Sequence, residues 1–439
     1  MSPDKFRTAR LRGAATGVAA LLLIGSAVTP AHAESIRSRQ WYLDVMKAEQ
    51  MWRTSTGKGV TVAVIDSGVN DRLADLRGQV LPGKDEAPES PGDEHTDPRG
   101  HGTSMALLIA GTGKANGGNG TLGLAPGAKI LPIRLQDRGL DAFRYSEEFN
   151  DTLSKAIRYA TDSGARVINI SLAQIKGSEQ LTSAVRYAVD NGALIFAGVG
   201  NDGNSRLMYP AATPGVVGVA AVGKDLHRTK ESNWGPQVDL SAPGEEMIHT
   251  CSNGVDVCDT SGTSDATALA SASAALIWAK HPEWTNNQVL RVMLNTIGGP
   301  TNGAKRTDAI GYGIVRPRIA LKDPGDPGPA DVYPLPDLKE AEAPSAKPSA
   351  EPSPSPSRSS AVGEAAPAPA GTASGDGDGG TGSGVWIAAG VGGALLAAAV
   401  PVGLAVRRRR AATASPVPGA AASPGPGTWP RDDGTAWRP

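Results

Sequence analysis

"SEEFNDTLSKAIRYATDSGARVINISL" (146–172) runs a helix into a strand without a break. Phe149, Leu153, Ile157 and Ala160 recur at helical spacing, Ser146 stands where an N-cap is wanted, and Gly164 marks the stop. The closing "ARVINISL" (165–172) is β-branched and apolar, as a buried strand is. The pattern then repeats. "SEQLTSAVRYAVDNG" (178–192) puts Leu181, Val185 and Ala188 on one face and ends at Asn191-Gly192, and "ALIFAGVG" (193–200) returns to strand. "GVTVAVI" (59–65), "ILPIRL" (130–135) and "VVGVAAV" (216–222) extend the alternation in both directions. Strands alternating with helices predict right-handed βαβ units, hence an α/β fold with a mostly parallel, twisted sheet and helices on both faces. In such sheets sites form beyond the carboxyl ends of the strands.

Polar residues stand at those ends. Asp66 closes the first strand in "VAVIDSGVN", where a turn-forming Asp and a functional carboxylate read equally well. Of six histidines, His101 alone lies between glycines just before an apolar run, in "DPRGHGTSMALLIAG" (97–111). That setting suits a proton shuttle, since the ring has open space and titrates near working pH. His95, His227, His249 and His281 lie in polar or Pro-adjacent stretches and are expected to be solvated. Asn201 follows a strand in "GNDG", which reads either as a turn or as an amide donor aimed at a developing oxyanion. Ser264 sits in "SGTSDATALA" (261–270), after Gly262 and at the positive end of a small-residue helix. A serine hydroxyl barely ionises at neutral pH, so a nucleophilic Ser264 needs a base, and the base needs an orienting carboxylate. His101 and Asp66 supply those types.

"VAVIDSGV", "GHGTSMA", "GVGNDG" and "SGTSDA" follow in the order Asp, His, Asn, Ser, and with them residues from about 41 to 321 resemble a subtilisin-family serine protease. The resemblance implies a subtilisin-like fold, a catalytic Asp66–His101–Ser264 set with Asn201 in the oxyanion hole, and a substrate-binding strand at Ser171-Leu172-Ala173. Ala173 stands where the family often has glycine, so its methyl crowds an added peptide strand. Asp265 stands where a Met or Phe is usual, and Ala268 where a proline is. As a carboxylate at a helix start Asp265 is favourably placed, and near His101 it favours the imidazolium, predicting a pH optimum above that of an Asp265→Asn protein. The layout around the domain is similar to that of the mycosins, membrane-anchored subtilases associated with type VII secretion.

That layout begins with a basic start (Lys5, Arg7, Arg10, Arg12), the apolar "AATGVAALLLIG" and "AHA" at 31–33, which read as a signal peptide over 1–33. Residues 34–58 are too short for an independent prosegment domain. Their "WYLDVMKAEQMW" predicts an apolar-faced helix (Trp41, Leu43, Met46, Met51, Trp52) packed on the catalytic domain, 59–322. The stretch 323–384, rich in Pro, Ala, Ser and Gly, is expected to be an extended spacer. Residues 385–406 carry no charge, are long enough to span a bilayer, and precede Arg407 to Arg410, which predicts one transmembrane helix with a cytoplasmic tail at 407–439.

The two cysteines, Cys251 and Cys258, are expected to pair in an exported chain. The acidic run 85–97 offers oxygen ligands for a structural calcium, but its irregular spacing favours a solvated loop. No metal and no cofactor are expected. A formal net charge of −1 and 4% aromatics leave no basis for nucleic-acid or carbohydrate binding. The expected protein is a single-pass extracytoplasmic endopeptidase acting on protein or peptide substrates, beside a type VII secretion membrane complex. The alternative is a scaffold of the same fold that stabilises such a complex with little or no proteolysis.

Overall fold

A computed structural model describes residues 35–135 and 147–342. The expected signal peptide, transmembrane run and tail, and Ser146, lie outside the described residues. Among the described residues no helix is long and apolar enough to cross a membrane.

The sheet has seven parallel strands: β1 (Thr61–Asp66), β2 (Lys84–Asp85), β3 (Lys129–Arg134), β4 (Val167–Ile170), β5 (Leu194–Gly198), β6 (Val216–Val222) and β7 (Leu240–Pro243). Their spatial order is β2-β3-β1-β4-β5-β6-β7. The chain thus builds outward to one side through β3, crosses back, and continues on the other side from β4. The reversal lies between β1 and β4, and open α/β sheets place their sites at the carboxyl ends there.

Alternation along β1 divides the core. Val62 and Val64 join the apolar cluster on one face, while Ala63 and Ile65 join the cluster on the other. Three further helices cover the sheet in contrasting ways. Helix α5 (Glu147–Asp162) buries Phe149, Leu153, Ile157 and Ala160, and α6 (Glu179–Asp190) buries Leu181, Val185 and Ala188. The Ser178 side chain caps α6 by accepting from Leu181 N at 3.1 Å. On the opposite face α7 (Thr263–Lys280) has almost every residue buried. Its alanines and serines let it lie against the sheet and against α4 (His101–Ala110) at once.

The N-terminal segment is not one helix but three short ones, α1 (Ile36–Arg39), α2 (Trp41–Val45) and α3 (Ala48–Trp52). Lys47 takes a left-handed conformation (φ 58°) between the last two, which reverses the chain and lets both tryptophans work. Trp41 Nε1 donates to Glu245 O and Trp52 Nε1 to Leu124 O, each at 2.9 Å. Leu43 and Met51 are buried in the same core as α7, so the segment is integral to the domain.

The spacer expected from 323 begins later than its composition predicts. Residues 323–342 lie on the domain, with α8 (Asn286–Asn295) and α10 (Asp337–Glu342) at the contact and the short α9 (Pro317–Lys322) before it. Arg291 on α8 donates to Pro327 O at 2.7 Å and to Pro329 O at 2.8 Å. Leu335 is buried, and Gly215 N donates to Asp337 Oδ2 at 2.6 Å. A guanidinium taking several carbonyls in one fork offsets what the Pro-rich stretch lacks in apolar area.

Candidate functional site

At the carboxyl end of β1, Asp66 is fully buried. Its Oδ1 accepts from Ser67 N and from His101 Nδ1, each at 2.8 Å. His101 is the first residue of α4, and Gly102 explains how it comes so close. A Cβ at Gly102 would lie 2.2 Å from Gly68 O and 2.9 Å from Asp66 Cβ. Only glycine lets the helix start against the strand end.

Asp97 braces the same turn and was not singled out as a site residue from the sequence. Its Oδ1 accepts from Ser67 Oγ and Gly100 N at 2.8 Å, and its Oδ2 from Thr103 N at 2.8 Å and Thr103 Oγ1 at 2.6 Å. It thereby serves the free N–H groups of α4 from outside the helix. Its position four residues before His101 was the signal available. Three further acids of the run 85–97 are committed locally: Asp85 to Arg134, Asp93 to His95 N and Thr96, and Glu94 to Gly83 N. Among the described residues no group of three or more His, Cys, Asp or Glu side chains is placed to hold a metal ion.

Ser264 is the second residue of α7 and is half-buried. It exchanges two hydrogen bonds with Ser171, just past β4. Ser264 Oγ donates to Ser171 O and Ser171 Oγ donates to Ser264 O, both at 3.3 Å. Leu172 and Ala173 take no backbone hydrogen bond from another segment among the described residues, whereas Gln174 pairs both ways with Tyr209. Residues 171–173 are thus a short segment past β4, beside the serine, whose Leu172 and Ala173 backbone is not taken up by another described segment.

Asn201 lies on the same rim and is exposed. Thr263 N donates to its Oδ1 at 2.8 Å, which fixes the amide and leaves the Nδ2 donor on the outer side. A Cβ at Gly262 would sit 3.0 Å from that Nδ2 and press on the amide. The turn is held from beneath by Asn233, fully buried, whose Oδ1 accepts from Asp202 N at 2.9 Å. Nothing in the local sequence marked Asn233.

One sequence expectation fails here. His249 is not solvated but fully buried, on the hairpin of β8 (Met247–Thr250) and β9 (Val257–Thr260). Asp265 stands in the first turn of α7. It is 2% exposed, and Thr260 Oγ1 donates to its Oδ1 at 2.6 Å. A disulfide between Cys251 and Cys258, Cα atoms 5.1 Å apart, closes the hairpin. Its loop also reaches α4, since Asn70 Nδ2 donates to Ser252 O at 2.9 Å, and Ser252 packs on Gly100.

The electrostatics follow from this packing. Burial lowers the basicity of the His101 ring, but the Asp66 charge and hydrogen bond, with Asp265 and Asp97 behind them, outweigh it and raise its pKa to about 9. One edge of the ring stays open, with 38% of the side chain exposed, so water moderates that rise. Burial pushes the Asp265 carboxyl up to about 6 against the pull of Thr260 and His101. Burial holds His249 below the usual histidine value.

A buried carboxylate–imidazole pair stands at the end of β1, and a serine at a helix N-terminus adjoins both a fixed amide donor and the segment 171–173. Residues 57–313 match the Subtilase family. The chain is 32% identical over 265 residues to the thermostable alkaline protease of Halalkalibacterium halodurans, covering 60% of this chain and 69% of the relative. The crystal structure of MycP1 from Mycobacterium smegmatis superposes with a TM-score of 0.57 at 27% identity, covering 66% of this chain and 86% of that one. A chain of the periplasmic assembly from the ESX-5 inner membrane complex gives a TM-score of 0.58 at 28% identity, covering 67% and 87%. The protein is an α/β serine hydrolase by fold and kinship. It belongs to the subtilase family of serine proteases, with mycosins of type VII secretion among its structural neighbours.

Proposed function

We propose that the chain is a membrane-anchored, extracytoplasmic serine endopeptidase that cuts extended peptide segments. The single observation that carries this is the 2.8 Å His101 Nδ1–Asp66 Oδ1 contact, set where β1 ends and α4 begins. Asp66 holds the imidazole in the tautomer whose Nε2 is free to take a proton. Ser264 Oγ leaves its resting bond to Ser171 O, gives its proton to His101, and attacks the scissile carbonyl. Asn201 Nδ2 and the Ser264 backbone N–H receive the oxyanion, for which a single donor is typically worth about 2.7–4 kcal/mol. His101 returns the proton to the leaving amine, and water releases the acyl-enzyme by the reverse path. The peptide adds as a strand along Ser171, Leu172 and Ala173, using the edge left open there. Every group in this scheme comes from the chain itself, and no cofactor takes part.

The uncharged run 385–406 with Arg407 to Arg410 supports a single anchor and an outward-facing domain. Likeness to MycP1 and to the ESX-5 assembly supports a place beside a type VII secretion complex. The test is labelling of the full-length chain in membranes with a fluorophosphonate probe. Wild type should label, and Ser264→Ala and His101→Ala should not. If folded wild type stays unlabelled, this reading falls. A second reading then takes its place, a fold that steadies a secretion complex, which the likeness to a member of such an assembly favours.

A further inference from the structure

His101 feels carboxylates that the proposed reaction does not use. Asp66 bonds it from the end of β1. The charges of Asp97 and Asp265 act on it as well, and Asp265 follows Ser264 on α7 and is buried at 2% exposure. The groups around Asp265 come from every element packed on it. Thr260 and Asp259 lie on β9, His249 on β8, Tyr42 on α2 and His101 on α4. Thr260 supplies the side-chain hydrogen bond to Asp265, beside one from the backbone N–H of Asp265 itself.

That side-chain bond belongs to a chain. His249 Nδ1 donates to Thr250 O at 3.0 Å, which makes Nε2 an acceptor, and Nε2 faces Thr260 Oγ1 at 3.3 Å. Thr260 has one hydroxyl proton to give. When Asp265 is protonated it donates to Thr260, Thr260 donates to His249, and every buried group is satisfied. When Asp265 is ionised the threonine turns to it at 2.6 Å, and His249 Nε2 loses its donor. A buried acceptor left without a donor is costly. The chain therefore favours the neutral acid by bonding as well as by burial, in keeping with a carboxyl raised to about 6.

We propose that Asp265 is a positioning residue whose charge sets the pH at which His101 can accept the Ser264 proton, with Thr260 and His249 governing that charge. The proposal rests on the endopeptidase reading above. Its sign is fixed. Below about pH 6 Asp265 is neutral and Asp66, with Asp97 behind it, holds the imidazolium; above it the added Asp265 charge helps keep His101 protonated. His101 must be neutral to act as base. The acid limb of kcat/KM in wild type thus lies at higher pH than it would without Asp265.

The test compares pH profiles of kcat/KM for a fluorogenic peptide, using the full-length chain in detergent. Asp265→Asn should move the acid limb downward by roughly one pH unit, the usual size for one nearby opposite charge, with the plateau little changed. Thr260→Val, which removes the donor to the Asp265 anion, should move it partway in the same direction, and Thr260→Ser should restore it. A merely structural role would scale activity at all pH values alike. The His101 imidazole is also titrated by NMR in Ser264→Ala chains with and without Asp265→Asn, so the readout does not depend on turnover or on one variant's activity. An unchanged His101 titration and an unmoved limb overturn the inference while probe labelling keeps the endopeptidase reading. Absent labelling with a shifted titration overturns that reading and retains the electrostatic coupling.

Discussion

The two flanks of His101 are built on opposite plans. On the β1 side Asp66 takes two strong donors at one oxygen, Ser67 N and His101 Nδ1, and Asp97 ties Ser67 and the start of α4 to the same spot. On the hairpin side Asp265 takes one side-chain donor, Thr260, whose hydroxyl has a second claimant in His249. Both carboxyls are buried, so burial does not separate them. Supply of hydrogen bonds does. One flank fixes a geometry, and the other stays free to change its charge.

The largest effect that can break this comparison is Asp66→Asn, which should cut kcat about 10⁴-fold by holding the wrong imidazole tautomer. Asp265→Asn should leave plateau kcat within a few-fold, as steady-state kinetics on one peptide would check. Equal losses in the two variants would erase the distinction. Gly102→Ala comes next. Its methyl meets Gly68 O at 2.2 Å and must push the start of α4 away from Asp66. A fall in kcat of about 100-fold is expected, since a displacement of about 1 Å is worth that much, with far-UV circular dichroism unchanged.

On the other flank, replacing both Cys251 and Cys258 by serine should cost roughly 2–3 kcal/mol of unfolding free energy, measured in urea, because the loop they close is short. The smallest effect is on stability against pH. The folded-state pKa of Asp265 is raised above its ordinary value to about 6, so folding is favoured while both states are protonated and loses ground as pH rises from about 4 to 6. Thermal melts should show that decline in wild type and a flatter profile in Asp265→Asn.

Legibility in the sequence followed the same divide. The β1 flank was readable because its residues are neighbours in sequence or lie in short glycine-flanked blocks: Asp66 at a strand end, His101 between glycines. The strands and the amphipathic α5 and α6 were readable from periodicity. Helix α7, buried all round, has no periodicity to show, and only its first residues marked it. The hairpin flank was partly misread because what matters there is contact between segments distant in sequence. His249 looked solvated among polar neighbours, yet it is fully buried, with β9 paired to its strand and α4 packed on it. The helix-start position of Asp265 and its bearing on His101 were legible, but its burial and the Thr260 hydroxyl that bonds it were not. Composition also misplaced the end of the domain, since a Pro-rich run held by Arg291 carbonyl by carbonyl carries no apolar signature.

That last feature acts as a mooring. In the anchored enzyme proposed above, the twenty residues 323–342 are taken out of the line between domain and anchor. At about 3.1 Å per residue for an extended Pro-rich chain, that would shorten the reach by roughly 60 Å. Such an enzyme would draw its peptides from a correspondingly thinner layer above the membrane, and cutting the Arg291 moorings would let it range farther out.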